Sequence, residues 1–295
     1  MIILDYSQVI ISNLMAEIGG RKGEDIGLDV NLLRHMVINT IRSLKQKFEG
    51  SYGNLVIACD SKNYWRKKVF PYYKANRKKA REESGLDWPM IFDTINLLKE
   101  ELKTFFPYKV IEVETAEADD IIATLVMWSV ENDVGNGLFP QPNPLLILSG
   151  DHDFIQLQKY KHVKQFSPIT KKFITSDSTP EKYLFEHIIR GDKGDGIPNV
   201  LSSDTSIVEN ERQKKIMQVK LDQWQEDPST MPQDESFKRN FDRNKALVDL
   251  TKIPDDIRDS IINTFTNTPS RGRELLLDYF IKNKMKLMIE HIEEF

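Results

Sequence analysis

The chain has 295 residues, 40% of them hydrophobic, which is enough for one large or two moderate domains with real cores and too apolar for a disordered protein. Its 41 Lys and Arg against 45 Asp and Glu leave a net charge of -4, which excludes a uniformly basic nucleic-acid-coating protein but not a local basic patch. A single cysteine, Cys59 in an apolar run, excludes an internal disulfide and a cysteine-rich zinc site, and no apolar run reaches the roughly 18 to 20 residues of a membrane helix.

Met1-Ile-Ile-Leu-Asp5 lacks the basic region and apolar core of a signal peptide, so a reducing cytoplasm is expected. The same stretch reads as a short buried strand ending in a carboxylate, although Asp5 could equally cap a helix starting at Tyr6 or Ser7. Leu33, Val37, Ile41, Leu44 and Phe48 recur every three or four residues and predict a helix from about Val30 to Phe48, ended by Gly50 and Gly53. Leu55-Val-Ile-Ala-Cys-Asp60 follows as a second buried strand with a carboxylate at its end.

Residues 62–81 hold Lys62, Arg66, Lys67, Lys68, Lys74, Arg77, Lys78, Lys79 and Arg81 with no acid between them, and Tyr64, Trp65, Tyr72 and Tyr73 are interleaved. Cations mixed with aromatic faces suit phosphate contact and stacking on bases or sugars, whereas a solvated helix face normally carries acids too. An amphipathic helix is predicted from Asp87 to Phe105 and a short strand from Tyr108 to Ile111. Glu117-Ala-Asp-Asp120 then leads into a helical apolar stretch. Acids in a first helical turn complement the dipole, but three in four positions exceed what capping needs. Glu117 and Asp120 share a helix face and Asp119 does not.

Val130 to Pro144 reads as a loop. Leu145-Leu-Ile-Leu-Ser-Gly-Asp-His-Asp-Phe154 is a further buried strand, with Asp151 and Asp153 just past its carboxyl end. His152 receives no ligand role. Val163 to Phe166 and Lys171 to Ile174 read as a small hairpin, and from Pro180 the chain is mostly helical. Gly191-Asp-Lys-Gly-Asp-Gly-Ile-Pro198 is a turn-rich loop with two more aspartates. Residues 201–236 read as a polar, loop-bearing insertion. Phe237 to Leu250, Pro254 to Phe265, Ser270 to Asn283 and Met285 to Phe295 are helical candidates.

The acids follow successive strand-like runs, so a parallel sheet would bring them to one edge, where they would need cations. Two divalent ions roughly 4 Å apart could activate water and stabilise a leaving oxygen in phosphodiester hydrolysis, with the basic segment holding the polyanion.

At this point the sequence resembles the structure-specific 5′-nucleases, or flap endonucleases, and their phage members in particular. The resemblance covers nearly the whole chain. It rests on Ile3-Leu-Asp-Tyr-Ser-Gln8, Cys59-Asp60 with Tyr64-Trp-Arg66, Tyr72-Tyr-Lys-Ala-Asn-Arg77 and Lys79-Ala-Arg-Glu-Glu-Ser84. It continues through Glu117-Ala-Asp-Asp120, Ser149-Gly-Asp-His-Asp-Phe154, Gly191-Asp-Lys-Gly-Asp195 and the tail Ile292-Glu-Glu-Phe295.

The resemblance implies an α/β fold with a mainly parallel central sheet flanked by helices, a PIN-like catalytic domain over residues 1–180. Residues 62–85 would form a basic helical arch, and residues 181–295 a smaller helical domain with a duplex-binding loop at 191–199. It implies two Mg²⁺ ions (Mn²⁺ can substitute). Asp5, Asp60, Asp119 and Asp151 would surround the first; Asp153, Asp192 and Asp195 would serve the second; Glu117 and Asp120 would support the metal site.

Lys74 and Arg77 are implied catalytic residues near the scissile phosphate. Arg66, Lys67, Lys68, Tyr72, Lys78, Lys79, Arg81 and Lys193 are implied nucleic-acid contacts. The expected activity is removal of RNA primers and 5′ flaps during phage DNA replication, leaving 5′-phosphates. Expected partners are DNA duplexes and RNA–DNA hybrids with 5′ ends, flaps or forks, together with phage single-strand-binding or clamp proteins. The protein is expected to be a monomer in the host cytoplasm, away from membranes.

One departure stands out: family members continue the Gly-Asp-x-x-Asp loop as Asn-Ile-Pro-Gly-Val, whereas here Gly196 replaces the Asn and Asn199 the Gly. Two rival classes are a binding protein on the same fold without catalysis and a Toprim-type phosphotransfer domain. The full acid set argues against the first. The second would not need Asp5, Asp60, the basic segment, Asp192 or Asp195.

Overall fold

A computed structural model describes residues 1–19, 27–135 and 140–295. Short apolar runs build the centre. Strands β1 (Ile2–Asp5), β2 (Leu55–Ala58) and β4 (Leu145–Leu148) are buried along their whole length. Such runs belong in a parallel sheet covered on both faces. With β3 (Lys109–Ile111), β5 (Val163–Ser167) and β6 (Lys172–Phe173), they form one six-stranded sheet in the order β3-β2-β1-β4-β5-β6. Every neighbouring pair is parallel except β5 with β6. The predicted hairpin of β5 and β6 is therefore present, but β5 also extends the central sheet by pairing with β4.

Alternation along the strands divides the core. Ile2, Leu4, Leu55, Ile57, Leu146 and Leu148 face one side, where α1 (Tyr6–Gly19), α2 (Val30–Tyr52) and α5 (Trp88–Phe105) pack. Ile3, Val56, Ala58, Leu145 and Ile147 face the other, under α6 (Ala118–Asn132). Asp29 caps α2, and the helix runs through Gly50 to stop at Gly53, where φ is 79°. Gly50 was expected to help end it; Gly50, Ser51 and Tyr52 all keep helical geometry, and Gly53 takes the positive-φ turn. Asp87 caps α5 through the Met90 N–H. Helix α6 extends to Asn132, so the predicted loop begins later than Val130; residues 136–139 of that loop lie outside the described residues.

The basic segment contains α3 (Arg66–Val69) and α4 (Asn76–Glu83). After β6, α7 (Pro180–Arg190), α8 (Gln218–Glu226) and α9 (Glu235–Val248) enclose two small cores. Ile188 enters one with Phe70, Tyr73, Ile197, Leu247 and Val248; Ile189 enters the other with Val200, Leu221, Trp224 and Phe237. Helix α8 corrects the reading of 201–236 as an irregular insertion: Leu221 and Trp224, three apart, supply just enough apolar face to dock it.

Helix α10 (Asp255–Asn267) lays Ile257 and Ile261 on the α6 side of the sheet. Helices α11 (Leu276–Lys282) and α12 (Lys286–Glu290), with Phe295, return to the α1–α2–α5 side. No helix among the described residues is long and apolar enough to cross a membrane.

Candidate metal and nucleic-acid site

Strand order reverses between β1 and β4: from β1 the chain steps to β2 and β3 on one side, and from β4 to β5 on the other. The carboxyl ends at such a switch point leave a crevice, the usual ligand position in an open α/β sheet. Asp5 ends β1, and Ser149-Gly-Asp151 follows β4.

Asp5 accepts hydrogen bonds from the Gln8 N–H at 3.1 Å and the Ser149 hydroxyl at 3.0 Å. It therefore caps α1 and faces the crevice as well, so the two readings of Asp5 are compatible. Asp60 lies beyond β2 and accepts from the Ser7 hydroxyl at 2.5 Å and the Ala118 N–H at 2.9 Å. The latter places it against the amino end of α6, whose dipole favours a negative charge.

These acids lack enough positive charge. Burial first, then the neighbouring Asp60, pushes the Asp5 carboxyl up to about 7. Burial and the charge of Asp151 push Asp119 well above the usual carboxylate range, with Asp5 contributing. Asp151 is exposed as a residue, yet burial of its carboxyl and the charge of Asp153 raise it to about 6. Carboxylates from four separate segments thus resist sharing one crevice, as expected where cations complete the site.

Beyond them, the Asp153 and Asp192 carboxylates both approach Nε2 of the His187 imidazole, at 3.2 Å and 3.6 Å. A small cleft is lined by Tyr73, Asp119, Asp153, Asp192 and Asp195, with Arg66 at its wall. Asp5, Asp60, Asp119 and Asp151 offer only carboxylate oxygens, the donor type that a hard divalent cation takes.

Glu117 and Asp120 turn the other way, and their role needs correction. Both are fully buried, with Arg66 between them: Nη1 donates to Glu117 Oε2 at 2.7 Å and Nη2 lies 2.8 Å from Asp120 Oδ1. Asp120 Oδ2 also accepts from Trp65 Nε1 at 3.0 Å and from the Glu117 N–H at 2.9 Å, so the pair forms a capping box for α6. Held in this way they buttress the helix that carries Asp119, and neither lines the cleft.

The same geometry corrects Arg66. It is 2% exposed, and its Nε donates to the Leu247 carbonyl at 2.9 Å, so it holds α3, α6 and α9 together and cannot reach a nucleic acid.

The remaining basic residues divide by position. Lys74, in the left-handed region at φ 57°, sends its ammonium to Glu117 and to within 3.6 Å of Asp195. Burial works to lower its pKa, but Asp195 and Glu117 outweigh it and hold the ammonium charged. Arg77 is exposed and pairs with Asp195 Oδ1. The Tyr73 hydroxyl lies between Asp195 Oδ2 at 2.8 Å and Glu117 Oε2 at 3.0 Å. The Asp195 carboxylate is thus held by residues of the basic segment, while its N–H donates to Asp192 Oδ1 at 3.1 Å.

Lys67, Lys68, Tyr72, Lys78, Lys79 and Lys193 are exposed. Lys78 and Lys79 stand 3.9 Å from Glu82 and Glu83, loose pairings that leave them free to meet phosphate. Arg81, partly covered, lies over the Trp88 and Phe92 rings.

Two comparisons identify the chain. A family model for the N-terminal, resolvase-like domain of 5′–3′ exonucleases matches residues 2–184, and one for the C-terminal part of T4 RNase H matches residues 178–295. The chain belongs to the 5′–3′ exonuclease family. It is 32% identical to the ribonuclease H of Enterobacteria phage T4, over 99% of this chain and 95% of that protein. It is 27% identical to a flap endonuclease of Shewanella woodyi over 58% of this chain and 63% of that one. In fold it is similar to a zinc-bound 5′-exonuclease of phage T5, with a TM-score of 0.61 at 18% identity over 91% of this chain and 99% of the other. The exonuclease is accordingly a hydrolase of phosphodiester bonds.

Sequence reasoning missed four residues around this exonuclease's crevice. His187 lies on a helix between isoleucines and carries no local motif. Tyr73 was read as a stacking aromatic, whereas it is 2% exposed and bonds across the arch. Ser7 and Ser149, which steady Asp60 and Asp5, lie inside the quoted motifs and could have been found there as hydroxyls adjacent to strand ends.

Proposed function

We propose that this exonuclease removes RNA primers and 5′ flaps from DNA during phage replication, using two divalent ions, physiologically Mg²⁺. The observation that carries the reading is the convergence of Asp5, Asp60, Asp119 and Asp151, the carboxyls of Asp5, Asp119 and Asp151 being pushed up, beside the cations of the basic segment. A related T5 flap endonuclease has been crystallised with DNA and metal ions, which supports a DNA substrate here.

In this reading Asp5, Asp60, Asp119 and Asp151 hold one ion, while Asp153, Asp192 and Asp195 serve the other. Bound there, the ions would supply an activated water and charge stabilisation at the leaving oxygen. The chain's own residues do the rest. The Ser7 and Ser149 hydroxyls and the α6 amino end orient Asp60 and Asp5. Lys74 and Arg77 exchange Asp195 for the substrate phosphate, placing two fixed cations where charge develops. Lys67, Lys68, Tyr72, Lys78, Lys79 and Lys193 offer a surface for the strand backbone and bases. Residues 1–180 act as the catalytic unit, 62–85 as the arch and 191–199 as the duplex-facing loop. The enzyme works as a monomer in the host cytoplasm, and phage single-strand-binding or clamp proteins are its partners.

Product mapping with Mg²⁺ on paired 5′-flap and RNA-primed duplexes tests this. Cleavage leaving 5′-phosphates is expected, and its loss in Asp151→Asn. No cleavage of either substrate by the wild-type protein would reject the reading in favour of a binding protein on the same fold.

A further inference from the structure

His187 has a position that neither metal binding by acids alone nor α7 packing accounts for. Thr179 caps α7 through the Lys182 N–H, and Ile188 and Ile189 anchor the helix in two separate cores. That docking turns the residue before them towards the acids. Nε2 of His187 and one oxygen each of Asp153 and Asp192 all lie within 4.8 Å of one another. Nε2 is buried, and although both carboxylates are near, neither meets it with hydrogen-bond geometry. The Tyr183 ring stacks on the imidazole at 5.8 Å between centroids and 12° between planes, so the ring is held in place. The Gly191 N–H donates to the His187 carbonyl at 2.9 Å, tying the helix end to the loop that carries Asp192.

Donor chemistry separates this position from its neighbour. Asp5, Asp60, Asp119 and Asp151 offer oxygen only, which suits Mg²⁺. Two carboxylates with one imidazole nitrogen suit Mn²⁺ and later first-row ions better, because the softer nitrogen gains more from them than from Mg²⁺. The geometry points to His187 as a nitrogen ligand that joins Asp153 and Asp192 and makes that position selective for a first-row transition ion over Mg²⁺. The inference rests on reading the crevice as a divalent-metal site; it adds a ligand to that reading and, at this one position, replaces Mg²⁺ by a first-row transition ion. His187 is here a specificity-determining residue; Tyr183 positions it.

The test uses the full chain, stripped of metal and titrated with Mn²⁺, with binding followed by electron paramagnetic resonance. Electron spin-echo modulation then reports any coordinated nitrogen directly, independently of activity. Bound Mn²⁺ should show ¹⁴N modulation from one imidazole. His187→Gln should abolish it and weaken Mn²⁺ at that position by roughly 10–100-fold, with Mg²⁺ affinity changed much less. His152→Gln, which alters the imidazole between Asp151 and Asp153, should keep the modulation. Thermal unfolding checks that each variant is folded, and His187→Asn replaces the Gln variant if it is not. Mn²⁺ binding without ¹⁴N modulation in the wild type, or modulation that survives loss of His187, would overturn the inference and leave the nuclease reading standing. If no divalent ion bound at all, both would fall.

Discussion

At the scale of single residues, the two kinds of charged group in this protein predict opposite behaviour. Arg66 is enclosed by Glu117 and Asp120. Its truncation leaves two buried carboxylates without a partner, so Arg66→Ala should destabilise the fold by about 3–5 kcal/mol, read from urea unfolding. Asp119 is an acid held against the charges of Asp151 and Asp5. Asp119→Asn should raise the metal-free melting temperature while lowering turnover by at least about 100-fold, a loss typical of removing one preorganised electrostatic group. A variant that lost both stability and activity would show that Asp119 is structural. Lys67 is exposed and lies over the Tyr64 ring. If it meets a phosphate, Lys67→Ala should leave stability unchanged and reduce the slope of log affinity against log salt by about 0.9 on duplex DNA.

At the scale of elements, the basic segment and the 191–197 loop form one unit. The Lys74 N–H donates to the Asp195 carbonyl at 2.7 Å, and Asn76 Nδ2 to the Lys193 carbonyl at 2.9 Å. Gly196, the departure from the family pattern, makes this possible: its φ is 72°, and a Cβ there would lie 3.0 Å from the Tyr72 carbonyl oxygen. Gly191 at the end of α7 is tighter still, with φ 66° and a virtual Cβ 2.3 Å from the Ile197 carbonyl oxygen. Gly191→Ala must therefore move Asp192 and its loop, and it should cost more than about 1 kcal/mol while weakening divalent-ion binding measured by calorimetry. Unaltered binding would mean that the loop does not contribute to the metal site.

At the scale of the whole molecule, the acid crevice sets the pH response. Asp5, Asp119 and Asp151 have folded-state pKa values above their unfolded ones, so between about pH 4 and 7 the folded protein holds more protons. Stability must then fall as pH rises through that window, by up to about 1.4 kcal/mol per pH unit for each such group. His187 acts in the same direction. Burial opposes its charge, but Asp153 and Asp192 raise it to about 10, and the stabilisation is lost as pH climbs towards that value. The lowered carboxyl of Asp192 acts only under more acidic conditions. The metal-free melting temperature should accordingly rise by about 4–8 °C from pH 8 to pH 5.5. Adding Mg²⁺ should raise it at pH 8 and much less at pH 5.5, where protons already occupy the acids. A melting temperature that climbed with pH would contradict this charge distribution.

Much of the protein was already legible in its amino-acid order. Uninterrupted apolar runs such as Ile2-Ile-Leu4 and Leu145-Leu-Ile-Leu148 suit a sheet covered on both faces, and the acids that follow them mark its carboxyl edge. Local information of this kind also located α2 and α5 to within a few residues, because their apolar period and caps lie in adjacent turns. Partnership across the fold was not legible. Arg66 and Lys74 belong to one basic run, yet one is enclosed by Glu117, Asp120 and the Leu247 carbonyl while the other reaches the crevice edge. His187 acquires its significance only when α7 docks between two cores and brings it to Asp153, 34 residues earlier in the chain. Residue type and spacing determine which side chains can carry charge or bind metal; burial and long-range contact decide which of those charges remain available to a ligand.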